Sequence, residues 1–451
     1  IYYSHIDGDG WLNRTRIERY ATGGPPVYAS RVVLEEVIRA NPAWPVTVAP
    51  IGAELDLDWH GTREARAIAR ALFELPNVEP ASHTYTHPFA WGFFDVPDHR
   101  ARERRYFDRY PGADRLVGVL GRIRGALGLQ QGDGAFAGVE GYQIYERPRA
   151  FALEPFDMRL EVEGTNRLLR ELAPEGTRIE LFQWSGNTRP SAAALAAVAA
   201  SGMANINGGD SRFDPTFPSY AWTAPIGIDV AGQWQVFASN SNENTYTENW
   251  SERFFGFKYL IPTLQNTNRP RRTAAFNLYY HTYSGARQAA LDAVAQNLDY
   301  AKTRPLIPLK ASTYARIAGS FPDIAITATG PRRWRIQNRG HLQTLRFERG
   351  LFSAVDFDRS HGVLGQTRRY GHLYVALDPA VRDPVVALRA SDDPDAAPEA
   401  PVAYLIESGW DVSSLVRLDD GVMFSAGGFA DGAMRWFMPP PGDGDNEVAY
   451  R

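Results

Sequence analysis

Short apolar runs and helix-length patterns alternate along the first 320 residues, and no other feature constrains the fold as strongly. Strand candidates are "IYYSHI", "WPVTVAPIG", "NVEPASH", "RIELFQW", "MANING", "AAFNLYYH" and "PLIPL". Between them lie "SRVVLEEVIRA", "TREARAIARALFEL", "GTNRLLRELA", "SAAALAAVAASG" and "SGARQAALDAVAQNLDYAKT", which read as helices. Ser30 and Ser191 stand where N-caps are expected, and Gly202 stands where a helix would stop. Strands alternating with helices predict a parallel sheet, here α/β with a modified, incomplete (β/α) barrel. Residues 89–175 interrupt the alternation as an insertion with helices of its own, and 224–260 read as an excursion containing a hairpin.

Past Phe321 the helical period disappears. "RRWRIQN", "HLYVALD", "PVVALRA" and their neighbours are short alternating segments broken by Gly, Pro and Asp, the pattern of an antiparallel β-sandwich. Two domains follow, residues 1–320 and 321–451, the second being an accessory domain for carbohydrate binding or partner docking.

Composition removes several functions. A net charge of -4 argues against a nucleic-acid binder. The absence of cysteine excludes disulfides, thiol catalysis and Cys-ligated zinc. No apolar run reaches the roughly 18 residues of a membrane span. The chain starts at Ile1 within a strand-like run, which predicts a fragment of a longer protein whose targeting segment lies elsewhere.

In a parallel barrel, functional groups collect where strands end. Asp7 and Asp9 follow the first strand, His83 and His87 the third, and Asn187 and Arg189 the run "IELFQW". Asp210 follows "MANING", and His281 ends "AAFNLYYH". Each has a bland reading on its own: an Asx turn for the aspartates, a packed or surface histidine for the others. Together they form a set. Histidines four apart share a face if their turn is helical, although Pro88 disfavours helical geometry at His87. Two His and one Asp can hold a divalent metal, and zinc in such a set activates water near neutral pH and polarises a carbonyl. The second aspartate is then free as a base, and His281 as an acid. That combination suits amide hydrolysis. His5 shares the face of Asp7 and is expected to orient a neighbour, whereas His341, His361 and His372 are structural or surface residues. Among the tryptophans, Trp184 is the one expected to stack on a sugar, and "NSNENTYTENW" reads as a groove rim or a plain surface loop.

The order of motifs resembles the polysaccharide deacetylases of carbohydrate esterase family 4. "HIDGDGW", "SHTYTHP", "WSGNTRPS", "NGGDSRFD" and "YYHTYSG" stand for the family's five motifs in turn. The Asp-Gly-Asp-Gly and Ser-His-Thr-x-x-His-Pro forms are similar to the branch acting on Pel exopolysaccharide and on fungal galactosaminogalactan. The resemblance covers residues 1–320. It implies that Asp7 is the base, that Asp9, His83 and His87 bind a divalent metal, most simply Zn2+, and that His281 is the acid. It further implies substrate contacts from Asn187, Arg189 and Asp210, an acetylated hexosamine polysaccharide as substrate, other exopolysaccharide-biosynthesis proteins as partners, and a periplasmic location. A peptidoglycan or chitin deacetylase, a two-carboxylate glycosidase using Asp7 and Asp210, and a non-catalytic sugar-binding scaffold are the competing readings.

Overall fold

A computed structural model describes residues 1–22, 24, 26–110, 147–247, 254–269, 271–390, 402–418 and 421–439. Its contacts divide the chain into two units, Ile1–Gly319 and Ser320–Arg451.

The first unit is built on parallel strands. β1 (Tyr2–Asp7), β2 (Val46–Ala49) and β3 (Val78–Pro80) follow one another in sequence. β4 (Leu181–Gln183), β5 (Ala204–Ile206), the hairpin β6 (Gly227–Val230) and β7 (Gln233–Val236), and β8 (Phe276–His281) complete the set in this unit. The main sheet has the order β3-β2-β1-β8, and all its pairings are parallel. β4 and β5 form a separate parallel pair, joined to the end of the main sheet by a single bridge between Ser82 and Phe182. No closed barrel forms among the described residues. The segment "PLIPL" contributes only a bridge from Pro308 to Tyr2.

β1 and β8 are buried along their whole length, as strands covered on both faces must be. Their two faces differ in chemistry. Tyr2, Ile6, Leu278 and Tyr280 join the large core formed with the surrounding helices. On the opposite face, Tyr3 packs with Ala49, Ala81, Leu181 and Tyr314. This inner face turns polar towards the carboxyl ends: Tyr3 lies against His5, and His5 stacks on Tyr279 at 4.1 Å. Asp7 comes next on the same face and pairs in register with His281 of β8.

Among the helices, Arg63–Phe73 shows how its sequence specifies the fold. Ala65, Ile68, Ala69 and Leu72 recur at helical spacing and are buried, and the Thr62 hydroxyl caps the helix by accepting from the Ala65 N–H. Ser191 caps Ala192–Ala200 in the same way, and Gly202 follows that helix at φ +82°. Ser30 does not cap. It lies inside the helix Ala29–Val33, where its hydroxyl donates to the Trp11 carbonyl. Residues 224–260 contain the expected hairpin, closed by Ala231 and Gly232, both at positive φ. No helix among the described residues is long and apolar enough to cross a membrane.

The second unit has a four-stranded antiparallel sheet and a five-stranded sheet whose one parallel contact joins Gly365 and Leu405. Val355, Val386 and Leu388 from the first share one apolar cluster with Val363, Leu373, Val375 and Leu377 from the second. Two sheets therefore face one core. The polar stretch "SDDPDAAPEAP", which its Pro and Ala content predicts to be a loop, lies outside the described residues.

The ends of β1 and β2 meet at Gly8, where an added Cβ would stand 2.6 Å from Pro50 Cα and 2.7 Å from the Ala49 carbonyl oxygen. Both are backbone atoms that cannot rotate away. Gly8→Ala is expected to destabilise this unit by about 1–3 kcal/mol, seen by calorimetry as a lower melting temperature for its transition.

Candidate metal centre

The stretch Asp7–Gly10 is a tight turn at the carboxyl end of β1. The Trp11 N–H donates to the Gly8 carbonyl at 3.0 Å, Gly10 takes φ +78°, and fully buried Trp11 anchors the exit. Glycine at the intervening position lets both carboxylates enter one pocket, where Asp7 is 2% and Asp9 6% exposed.

The two histidines reach the same pocket from the loop after β3. That loop is not helical: Thr84 and His87 adopt φ of 65° and 54°, and these left-handed kinks bring the imidazole centroids to 5.0 Å. His83 Nε2 lies 3.0 Å from Asp9 Oδ2, and His87 Nε2 lies 2.9 Å from Asp9 Oδ1. The ligand atoms of Asp9, His83 and His87 all fall within 4.8 Å of one another, as do those of Asp7, Asp9 and His281. His83 Nδ1 is 3.0 Å from the Gln183 carbonyl. A carbonyl only accepts, so Nδ1 carries a proton, and Nε2, the nitrogen facing Asp9, is the one that would turn to an ion. His87 Nδ1 is buried and has no hydrogen-bond partner among the described residues. Two imidazole nitrogens and one carboxylate oxygen converging in a buried pocket fit a divalent ion of the zinc type.

Electrostatics follow from this packing. Burial alone would raise the Asp9 carboxyl, but the His87 charge and hydrogen bonds from both histidines hold it well below the usual range. Burial opposes charge on His83 as well; Asp7 and Asp9 overcome it and raise its pKa.

Asp7 sits among donors. Asn207 Nδ2 donates to its two oxygens at 3.2 and 3.1 Å, and the Tyr279 hydroxyl donates to Oδ2 at 2.5 Å. His83 Nδ1 stands 3.4 Å from its Oδ1. His5 fixes the orientation of Asn207, its Nε2 meeting Asn207 Oδ1 at 2.9 Å. Burial lowers the His5 pKa to about 4, so its ring stays neutral in the interior. It orients a neighbour, holding the Asn207 amide that donates to Asp7.

His281 Nε2 faces the carboxylates, 3.8 Å from Asp7 Oδ2 and 4.0 Å from Asp9 Oδ2. Its Nδ1 lies 3.1 Å from Glu243 Oε2 and 2.7 Å from the Tyr283 hydroxyl oxygen. Glu243, 1% exposed, also accepts from the His281 backbone N–H at 2.8 Å and from Ser284 Oγ at 3.0 Å. Burial works against protonation of His281, and Glu243 reverses that, lifting the pKa to about 9. Glu243 belongs to "NSNENTYTENW", where neither a rim nor a plain surface loop describes it; Trp250 of that run lies outside the described residues. An isolated acid in a polar run gave no signal.

The other expected substrate contacts separate. Trp184 is 0% exposed, packed edge-on against Trp91 and Phe182 with its indole N–H donating to Asn205 Oδ1 at 3.0 Å. It shares strand parity with buried Phe182 and offers no face to a sugar, which corrects the stacking role. Asn187 closes its own turn, its Oδ1 accepting from the Arg189 N–H at 3.2 Å, and Arg189 is exposed. Asp210 is exposed, with Thr245 as a hydrogen-bond partner and His281 near enough to act on its charge. Glu54, on the turn of helix after β2, was not singled out by the sequence. It is buried, and burial together with the Asp9 charge pushes its carboxyl well above the usual range.

No protein-family model and no curated protein matches the chain. Among solved structures it is similar to a 4-alpha-glucanotransferase from Thermococcus litoralis, with 10% identity, a TM-score of 0.32, and cover of 68% of this chain and 39% of that one. It thus spans well under half of the glucanotransferase. It is also similar to alpha-L-fucosidase isoenzyme 1 from Paenibacillus thiaminolyticus, with 10% identity, a TM-score of 0.30, and cover of 87% and 96%. Likeness at this level carries no argument about activity.

Because Glu243 raises His281, its contribution to stability is complete below the ordinary imidazole value of about 6.5. It is lost as the pH rises through about 9. In metal-stripped protein, NMR titration of His281 should give a midpoint near 9, and Glu243→Gln should move it down by at least one unit; an unmoved midpoint would remove Glu243 as the cause.

Proposed function

We propose that the first unit is a metal-dependent polysaccharide N-deacetylase that removes acetyl groups from an N-acetylhexosamine polymer and releases acetate. The observation that carries this reading is the convergence of Asp9, His83 and His87 in one buried pocket, with Asp7 and His281 facing it. Amide hydrolysis needs a nucleophilic water, a base to deprotonate it and an acid for the departing amine. A divalent ion held by Asp9, His83 and His87 would supply Lewis-acid polarisation and water activation.

The chain's own groups do the rest. Asp7, fixed by Asn207 and Tyr279, takes a proton from the attacking water. His281, kept protonated by Glu243, gives its proton to the amine nitrogen as the C–N bond breaks. The products are acetate and a free amino sugar. His281, outside the Asp9/His83/His87 set, presents a cationic donor towards the carboxylates, which separates the roles of acid and base.

The motif resemblance extends the proposal to a Pel-like polymer rich in GalNAc or GlcNAc, made in biofilm polysaccharide biosynthesis, with a periplasmic location and other exopolysaccharide-biosynthesis proteins as partners. With Trp184 buried, the aromatic candidate for the polymer is Trp222. It is 55% exposed, edge-on to Phe217, and its carbonyl accepts from the Arg212 N–H two residues beyond Asp210. An exposed indole there offers a stacking face to a sugar.

His83→Ala is expected to abolish both bound metal and acetate release, measured by elemental analysis and an acetate assay on an acetylated hexosamine oligosaccharide. Asp7→Asn should keep the metal and lose at least 100-fold in turnover; loss of metal instead would exchange the roles of the two aspartates. Polymer shortening that ignores chelators would point to a glycosidase, and binding without acetate release to a scaffold. Trp222→Ala should raise KM several-fold for long oligosaccharides while changing kcat little, and an unchanged KM would remove Trp222 from the binding surface.

A further inference from the structure

The loop that carries His83 and His87 has a backbone its own residues disfavour. Thr84 and His87 lie in the left-handed region, at φ 65° and 54°, and a β-branched residue is least suited to it. Such strain persists only where the surroundings over-determine it. The Gly52 and Ala53 N–H groups, just after β2, donate to the Thr84 and Tyr85 carbonyls at 3.0 and 2.9 Å. Phe151 and Ala150 donate to the Thr86 and His87 carbonyls at 3.1 and 2.9 Å, and the His87 N–H donates to Thr84 Oγ1 at 3.0 Å.

The Tyr85 and Thr86 N–H groups turn to a side chain instead, and one carboxylate oxygen takes both. They donate to Glu161 Oε2, each at 2.9 Å, while the Thr86 hydroxyl donates to Glu161 Oε1. Glu161 is 0% exposed and touches neither histidine through any of these bonds. Burial pushes its carboxyl up, against which Arg149 and the Thr86 and Tyr85 donors act. Arg149, equally buried, places Nη1 3.4 Å from Thr86 Oγ1 and donates from Nε to Glu103 Oε1 at 2.5 Å. Glu103, Arg149 and Glu161 all come from the stretch 89–175 that breaks the strand–helix alternation.

We propose that Glu161 is the positioning residue of the metal-binding loop, its carboxylate clamping Tyr85 and Thr86 so that His83 and His87 present Nε2 towards Asp9. The inserted stretch thereby acquires a function: it supplies the clamp. This inference rests on the metal site of the proposed function, and it concerns how tightly an ion is held rather than what is hydrolysed.

The test is the zinc dissociation constant of the metal-stripped full chain, measured by competition with a chromophoric chelator. Glu161→Gln replaces an all-acceptor group with an amide, and Thr86→Val removes the hydroxyl without touching Glu161. Both are expected to weaken zinc binding by about 10- to 100-fold, whereas Thr86→Ser, which keeps the hydroxyl, should stay within about threefold of the parent. Glu79→Gln is the matched control. Glu79 is another buried carboxylate, accepting from Thr47 Oγ1 at 2.6 Å, Ser312 Oγ at 2.5 Å and the Ser312 N–H at 3.2 Å, and among the described residues none of its hydrogen bonds goes to the loop. It should lower the melting temperature and leave zinc affinity alone. Parent-like affinity in Glu161→Gln and Thr86→Val would overturn the clamp, as would an equal loss in Glu79→Gln. If Glu161→Gln does not fold, Thr86→Val carries the test alone. A parent chain that takes up no zinc would sink the metal reading itself, a result distinct from any difference among the variants.

Discussion

The structure of the first unit depends on one carboxylate shared by two imidazoles. Asp9 is buried, and a buried carboxylate is costly unless it is paired and hydrogen-bonded. His83 and His87 satisfy that demand from a loop more than seventy residues away. To deliver them, the chain tolerates two left-handed residues in that loop and needs glycine where β1 passes the end of β2. Mutual compensation of this kind makes a metal site and a structural hub the same object: the charges that would grip an ion also hold the carboxyl ends of β1 and β3 together.

Around this hub the inner face of the sheet is graded. Tyr3 is an uncharged ring stacked on Tyr314, His5 is kept neutral, and Asp7 is a carboxylate ringed by donors. The gradient separates the two histidines of β1 and β8. His5 is driven neutral by burial, whereas His281, equally enclosed, is driven cationic by Glu243. The same residue type takes opposite charge states because one has amide neighbours and the other a carboxylate.

The strand–helix alternation was legible because short strand-length runs and helix-period patterns follow one another, even though β1 and β8 carry Ser4, His5 and Asn277 within their buried spans. The grouping of Asp7, Asp9, His83, His87 and His281 was legible because each stands at a strand end, where a parallel sheet gathers polar groups. Other features left no local trace. Asn207, Tyr279, Glu243 and Glu161 act through partners distant in sequence, and neither spacing nor composition marks them. Trp184 misleads for a related reason. Its place beside a turn suggests exposure, but strand parity sends it into the core with Phe182.

By itself, then, the sequence determined which residues could meet, since periodicity decides the strands and strands decide which side chains share an end and a face. Only the tertiary structure decided how they meet. The histidine pair is assembled by left-handed kinks in place of a helical turn, and the inserted stretch braces that loop through Glu161 and Arg149. A carboxylate from a polar run becomes the partner of His281. Periodicity is a local property carried by neighbouring residues, whereas the charge state and orientation of a buried group depend on whatever the rest of the chain packs against it.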